Sequence, residues 1–125
     1  MPRVTIEPLT VHADARGSVF EPLAADVLPG QRNVHVVVTE PGAVRGNHLH
    51  PRGTETLVIH GPALFRCREG DRVADTEVPA GAAYRFTIPP GVAHALKNTG
   101  TAPSVAISFV TVPRDPANVV RDVLL

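Results

Sequence analysis

Apolar and polar residues along this chain fall into short runs, and Pro or Gly interrupts them roughly every six to ten positions. Runs of that length predict strands, not helices. The two clearest are the β-branched stretches Asn33–Thr39, NVHVVVT, and Ser104–Val112, SVAISFVTV. Shorter strands are predicted over Ser18–Glu21, Glu55–His60, Ala63–Arg68, Val73–Val78, Tyr84–Ile88 and His94–Asn98. Val4–Leu9 is a weaker strand that Pro8 confines to a sheet edge. Between these lie turns at DARG (14–17), EPG (40–42), PRGT (51–54), EGD (69–71), PAG (79–81) and PPG (89–91). Ala25–Gln31 reads as a loop with one helical turn. The tail PRDPANVVRDVLL suits a short helix from Pro116 or an added strand. Roughly nine to eleven short strands with almost no helical periodicity predict a sandwich or a barrel.

Composition narrows the picture. The 125 residues suffice for one domain, spanning 1–125, with one core. Hydrophobic residues make up 43% but aromatics only 4%, so the core must be built mostly of Val, Ala, Leu and Ile. The formal net charge is zero and no basic run occurs, which argues against nucleic acid as a partner. A single cysteine, Cys67, excludes an intrachain disulfide and sits in the strand-like ALFRCR, where a small core residue is expected. No apolar stretch approaches the roughly 18–20 residues of a membrane span. The N-terminal residues have no signal-type apolar core, so a soluble cytoplasmic protein is the expectation.

The chemistry concentrates in Gly42–Gly61, GAVRGNHLHPRGTETLVIHG. His48 and His50 are two apart, so on a strand they share a face, about 7 Å apart along the chain. That spacing suits two imidazoles converging on one ion. PRGT follows as a turn, and a hairpin there would carry Glu55 back beside the histidines. Glu55 shares a face with Leu57 and Ile59, and a carboxylate facing a barrel interior needs a partner or a cation. His94, three residues after Gly91 of the PPG turn, is the candidate fourth ligand, with Asn98 on the same face. His60 falls out of phase with Glu55, Leu57 and Ile59 and is expected to face outward. His12 lies in a loop, and His35 sits mid-strand with no facing that the sequence decides.

These two clusters resemble the paired motifs of the cupin superfamily. The first, G-x5-H-x-H-x3-4-E-x6-G, is matched from Gly42 through His48, His50 and Glu55, with Gly61 one residue early. The second, G-x5-P-x-G-x2-H-x3-N, is matched at Pro89, Gly91, His94 and Asn98, with Gly81 two residues too far upstream. The resemblance implies a small antiparallel jelly-roll barrel, a divalent metal on His48, His50, Glu55 and His94, and a homodimer. The weak Val4–Leu9 strand is the expected intersubunit edge. DARGSVFEPL, EPGAVRGNHLH and DPANVVRDVLL look like cupins that act on nucleotide-linked sugars, in which an RG pair, here Arg45-Gly46, precedes the histidine.

Three imidazoles and a carboxylate suit Zn, Mn, Fe, Ni or Cu(II) better than Mg or Ca. The reaction expected is isomerase- or epimerase-type proton transfer on a nucleotide-linked keto sugar, the metal stabilising the developing oxyanion. Without a metal, His48 or His50 would act as base and Glu55 would orient it. Arg45 and Arg32 are candidates for a substrate diphosphate. Tyr84 is a candidate acid, although it lies upstream of the second cluster, where the sugar epimerases place theirs downstream. Two other readings remain open: an iron-dependent oxygenase using the same ligands, and a non-catalytic module binding a small ligand or metal.

Overall fold

A computed structural model describes residues 2–125. Among them are twelve strands: β1 Thr5–Pro8, β2 His12–Asp14, β3 Gly17–Val19, β4 Asn33–Thr39, β5 Val44–Leu49, β6 Glu55–His60, β7 Ala63–Glu69, β8 Arg72–Val78, β9 Ala83–Ile88, β10 Ala93–Asn98, β11 Ser104–Val110 and β12 Val120–Arg121. Two single-turn 3-10 helices, Leu28–Gly30 and Pro116–Asn118, interrupt them. The tail therefore contains both of its expected alternatives, a helical turn followed by a strand.

Two five-stranded antiparallel sheets form a small jelly-roll barrel, ordered β1-β9-β6-β11-β4 and β12-β5-β10-β7-β8. A two-stranded hairpin, β2-β3, turns at Ala15-Arg16. Alternation builds the interior. Leu57 and Ile59 of β6 meet Phe65 and Cys67 of β7, with Phe86 and Ile88 of β9 and Leu96 of β10 in the same buried cluster. Phe65 and Phe86, one from each sheet, stack with ring centroids 4.1 Å apart, so two of the few aromatics join the layers at the centre. Cys67 belongs to this core, and burial pushes its thiol up to about 11.

One expectation is corrected. The PRGT turn does not close a hairpin. β5 pairs with β10 and β12, whereas β6 pairs with β9 and β11, so the turn carries the chain from one sheet to the other. A Pro-Gly turn can end a strand without deciding which sheet the next one joins. The N-terminal strand lies at a sheet edge, as Pro8 requires: Thr5–Pro8 pairs with Tyr84–Thr87 of β9 on one side and ends the sheet on the other.

Asn98, at the end of β10, has a local structural role. Its Nδ2 donates to the carbonyls of Thr39, at 2.9 Å, and Ala102, at 2.8 Å, while its Oδ1 accepts from the Gly100 N–H at 2.8 Å. It is almost fully buried and closes the turn into β11. Asn98→Ala leaves three backbone groups without these partners, two of them bonded only through this side chain in the turn. The expected loss is about 2–4 kcal/mol in urea unfolding. A loss below about 0.5 kcal/mol would contradict this role.

Candidate functional site

Four donors from both sheets converge on one side of the barrel interior. His48 lies near the end of β5 and His50 just beyond it. His94 lies on β10 and stands opposite His48 in the ladder, while Glu55 opens β6 in the other sheet. Their ligand atoms lie within 4.8 Å of one another. The His48 ring centroid is 4.7 Å from that of His50 and 5.0 Å from that of His94. The sequence spacing of His48 and His50 thus has its expected effect, although His50 falls outside the strand.

A bulge aims β5. His94 pairs with His48, but Ala95 pairs with Gly46, which leaves Asn47 as the extra residue. Gly46 has φ +88°, and a Cβ there would sit 2.9 Å from the His94 carbonyl oxygen. Only glycine allows β5 to approach β10 this closely beside the cluster. Asn47, itself at φ +56°, turns its side chain away from the cluster toward the C-terminus. Gly46 of the Arg45-Gly46 pair therefore has a mechanical reason.

Hydrogen bonds orient the rings. His50 Nδ1 lies 2.9 Å from the Asn118 carbonyl oxygen, and His94 Nδ1 lies 3.0 Å from that of Val92. A carbonyl can only accept, so both Nδ1 atoms carry hydrogen and both rings present Nε2 inward. Those Nε2 atoms lie 3.3 Å and 2.8 Å from the same oxygen, Glu55 Oε1. The other carboxylate oxygen accepts from the Ser108 hydroxyl at 2.5 Å. Burial works against the Glu55 charge, but the His50 and His94 rings and the Ser108 hydroxyl outweigh it and hold the carboxyl well below its ordinary range. Glu55 in turn raises His50, against the opposing effect of burial, and the Asn118 carbonyl adds to the rise. His48 goes the other way, down to about 4, from desolvation first and then from His94 and His50.

This donor set fits a divalent transition cation. Glu55 is only 5% exposed, and Oε1 has no hydrogen-bond donor facing it when the neighbouring imidazoles are neutral. An anionic oxygen against two bare ring nitrogens is repulsive unless a proton or a cation lies between them. His48, neutral at physiological pH, adds a third lone pair. His48, His50, Glu55 and His94 are the residues that would hold the ion.

The cluster opens into a cavity of about 430 Å³. The far wall is β4, whose Asn33, His35 and Val37 face inward, and the roof is the segment 112–116 with Asn118 and Val119. Arg45 lines this cavity, whereas Arg32 and Tyr84 are absent from its walls. Tyr84 instead packs against the hydrophobic core beside Phe86. The candidate substrate roles of Arg32 and Tyr84 therefore find no support in their placement. His35 and Arg114 were missed as cavity residues. The apolar residues on both faces of NVHVVVT concealed which way His35 points. His60 faces outward as expected and stacks on Phe20, with centroids 5.8 Å apart.

Over residues 12–118 the sequence matches the family described as the polysaccharide biosynthesis C-terminal domain. The chain belongs to that family. No curated protein matched it in a sequence comparison. Among solved structures, this family member is similar to the capsular polysaccharide assembling protein CapF of Staphylococcus aureus. Identity is 26% and the TM-score 0.69, over 94% of this chain and 33% of CapF. The chain thus spans about a third of CapF. It also shares its fold with the sugar 3,4-ketoisomerase QdtA of Thermoanaerobacterium thermosaccharolyticum, with 16% identity and a TM-score of 0.74 over 95% of this chain and 88% of that one. The RmlC epimerase of Mycobacterium tuberculosis is a third, with 19% identity and a TM-score of 0.71 over 93% and 66%. At such identities the last two share the barrel only.

The depressed His48 makes the metal-free barrel sensitive to acid. A histidine whose pKa falls on folding binds its proton more readily in the unfolded chain, so stability drains away as pH falls from 6.5 toward about 4. In EDTA, the melting temperature of the wild type should drop across that interval, and that of His48→Gln should drop less. Equal slopes by circular dichroism would contradict the assignment.

Proposed function

We propose that this domain holds one divalent transition cation at His48, His50, Glu55 and His94 and acts on a nucleotide-linked keto sugar. The reaction is isomerase- or epimerase-type proton transfer in polysaccharide or deoxysugar biosynthesis. The observation that carries the reading is the convergence of three imidazoles and a buried carboxylate, within 4.8 Å, on the floor of a cavity. The family match supports the polysaccharide context. The substrate class to test comes from the shared fold, since QdtA is described as a sugar 3,4-ketoisomerase in complex with TDP.

The cavity volume, about 430 Å³, lies within the roughly 300–1,000 Å³ of small-molecule sites. Arg45 and Arg114 both line it and offer guanidiniums to a diphosphate at its mouth. A cation on the four ligands would polarise the substrate carbonyl and stabilise the negative oxygen formed when the adjacent carbon loses its proton. With three imidazoles committed to the ion, His35 is the histidine left lining the cavity, and it is assigned as the base. It takes the proton from the carbon beside the carbonyl, leaving an enediol-type intermediate, and returns it to the neighbouring carbon or to the other face.

The test pairs elemental analysis with deuterium uptake from D2O into TDP-4-keto-6-deoxyglucose. Wild type should carry about one metal per chain and exchange deuterium into the sugar. His35→Ala should keep the metal and lose exchange by roughly 10²–10⁴-fold, while His94→Ala should lose both. Metal stoichiometry unchanged in His94→Ala would contradict the ligand set. Full metal loading with no exchange in wild type would contradict the catalytic reading.

A further inference from the structure

The C-terminal segment is bound along β5, the strand that carries His48 and leads into His50. β12 pairs Val120 with Leu49 and Arg121 with His48. Beyond it, the Asp122 N–H donates to the Asn47 carbonyl at 2.9 Å. The Asn47 Oδ1 accepts from the N–H groups of Leu124, at 2.9 Å, and Leu125, at 3.1 Å. Before β12, the segment from 112 to 119 roofs the cavity. A hydrogen bond at Asn118 joins roof and cluster.

Asn118 is 7% exposed and makes three contacts with the His50 turn. Its Oδ1 accepts from the Arg52 N–H at 2.9 Å and its Nδ2 donates to the Arg52 carbonyl at 2.9 Å. These two bonds bracket one backbone residue, as a strand partner would. Its own carbonyl then faces His50 Nδ1 at 2.9 Å. The turn that presents this carbonyl is itself secured. Pro116 sets its start, Asp115 accepts from the Ala117 N–H through its side chain and from the Asn118 N–H through its carbonyl, and Arg52 pairs with Asp115 at 3.2 Å. His50 lies outside the β5 ladder, so its ring is held by this contact behind it and by Glu55 in front, not by strand pairing.

We propose that Asn118 is a positioning residue: its side chain locks the roof segment to Arg52, so that its carbonyl fixes the His50 ring with Nε2 turned toward Glu55. The cavity roof and the cluster thereby form one unit, and loosening the roof releases the ring. The consequence for metal binding rests on the reading proposed above; the fixing of the ring does not. A backbone or carboxylate partner behind a ligating histidine commonly accounts for about 10–100-fold in metal affinity, and Asn118 is that partner for His50.

The experiment uses protein labelled with 15N-histidine, in EDTA, and follows the imidazole Nδ1–H protons by NMR. In wild type two slowly exchanging signals are expected, one from His50 on the Asn118 carbonyl and one from His94 on the Val92 carbonyl. His94 is the internal control, because nothing from the roof touches its Nδ1 partner. Asn118→Ala should lose the His50 signal and keep that of His94. Asn118→Asp, of equal size, should do the same, since it sets a carboxylate oxygen against the Arg52 carbonyl. Zn2+ affinity, measured by chelator competition, should fall about 10–100-fold in both variants. Persistence of both signals would overturn the proposal. So would loss of both, which would mark a general structural role, or the absence of a His50 signal in wild type. Wild type that shows both signals but takes up no Zn2+ would sink the metal reading and leave the positioning role standing.

Discussion

The arrangement turns on one buried carboxylate. Glu55 belongs to one sheet, His94 to the other, and His50 lies just beyond β5, so the contacts to one carboxylate oxygen span the barrel. Inside a protein such a charge is stable only when its surroundings are arranged for it. Ser108 satisfies one oxygen from the neighbouring strand. The second oxygen is left to ring nitrogens whose other sides are already bound to carbonyls. The site is therefore organised around a positive charge that it needs, and the apolar core around Phe65 and Phe86 is what keeps the two sheets in place for it.

Irregular backbone does as much as regular strands here. The bulge at Gly46 and Asn47 brings β5 close to β10 and frees one residue to hold the C-terminus. The 3-10 turn at Pro116–Asn118 brings a carbonyl to His50 where no strand could. Both sites break the alternation that builds the core. Strain and irregularity of this kind are expected where function competes with fold. The same segment lines the cavity, so the cavity wall and the His50 ring share the same few hydrogen bonds.

What could be read from the residues alone was local. The period of two that aligns His48 with His50, the phase that turns His60 outward and the turn chemistry of PPG before His94 all operate over a few positions. Those features are visible without the fold. The sheet that Glu55 joins is different, because PRGT ends one strand without choosing a partner for the next. The facing of His35 was hidden by valines on both sides of its strand, of which Val36 is 63% exposed. Arg32 and Arg45 look alike in the sequence, yet only the second reaches the cavity wall. Asn118 has no local signature at all, since its partners lie 66 to 68 residues away.

The most direct test of the shared-cation account is zinc K-edge X-ray absorption on the loaded protein. Three imidazole nitrogens and one carboxylate oxygen, each at about 2.0–2.2 Å, are required of the first coordination shell, with solvent or substrate oxygen allowed besides. A shell of oxygens alone, or one fitted by two imidazoles or fewer, would contradict it.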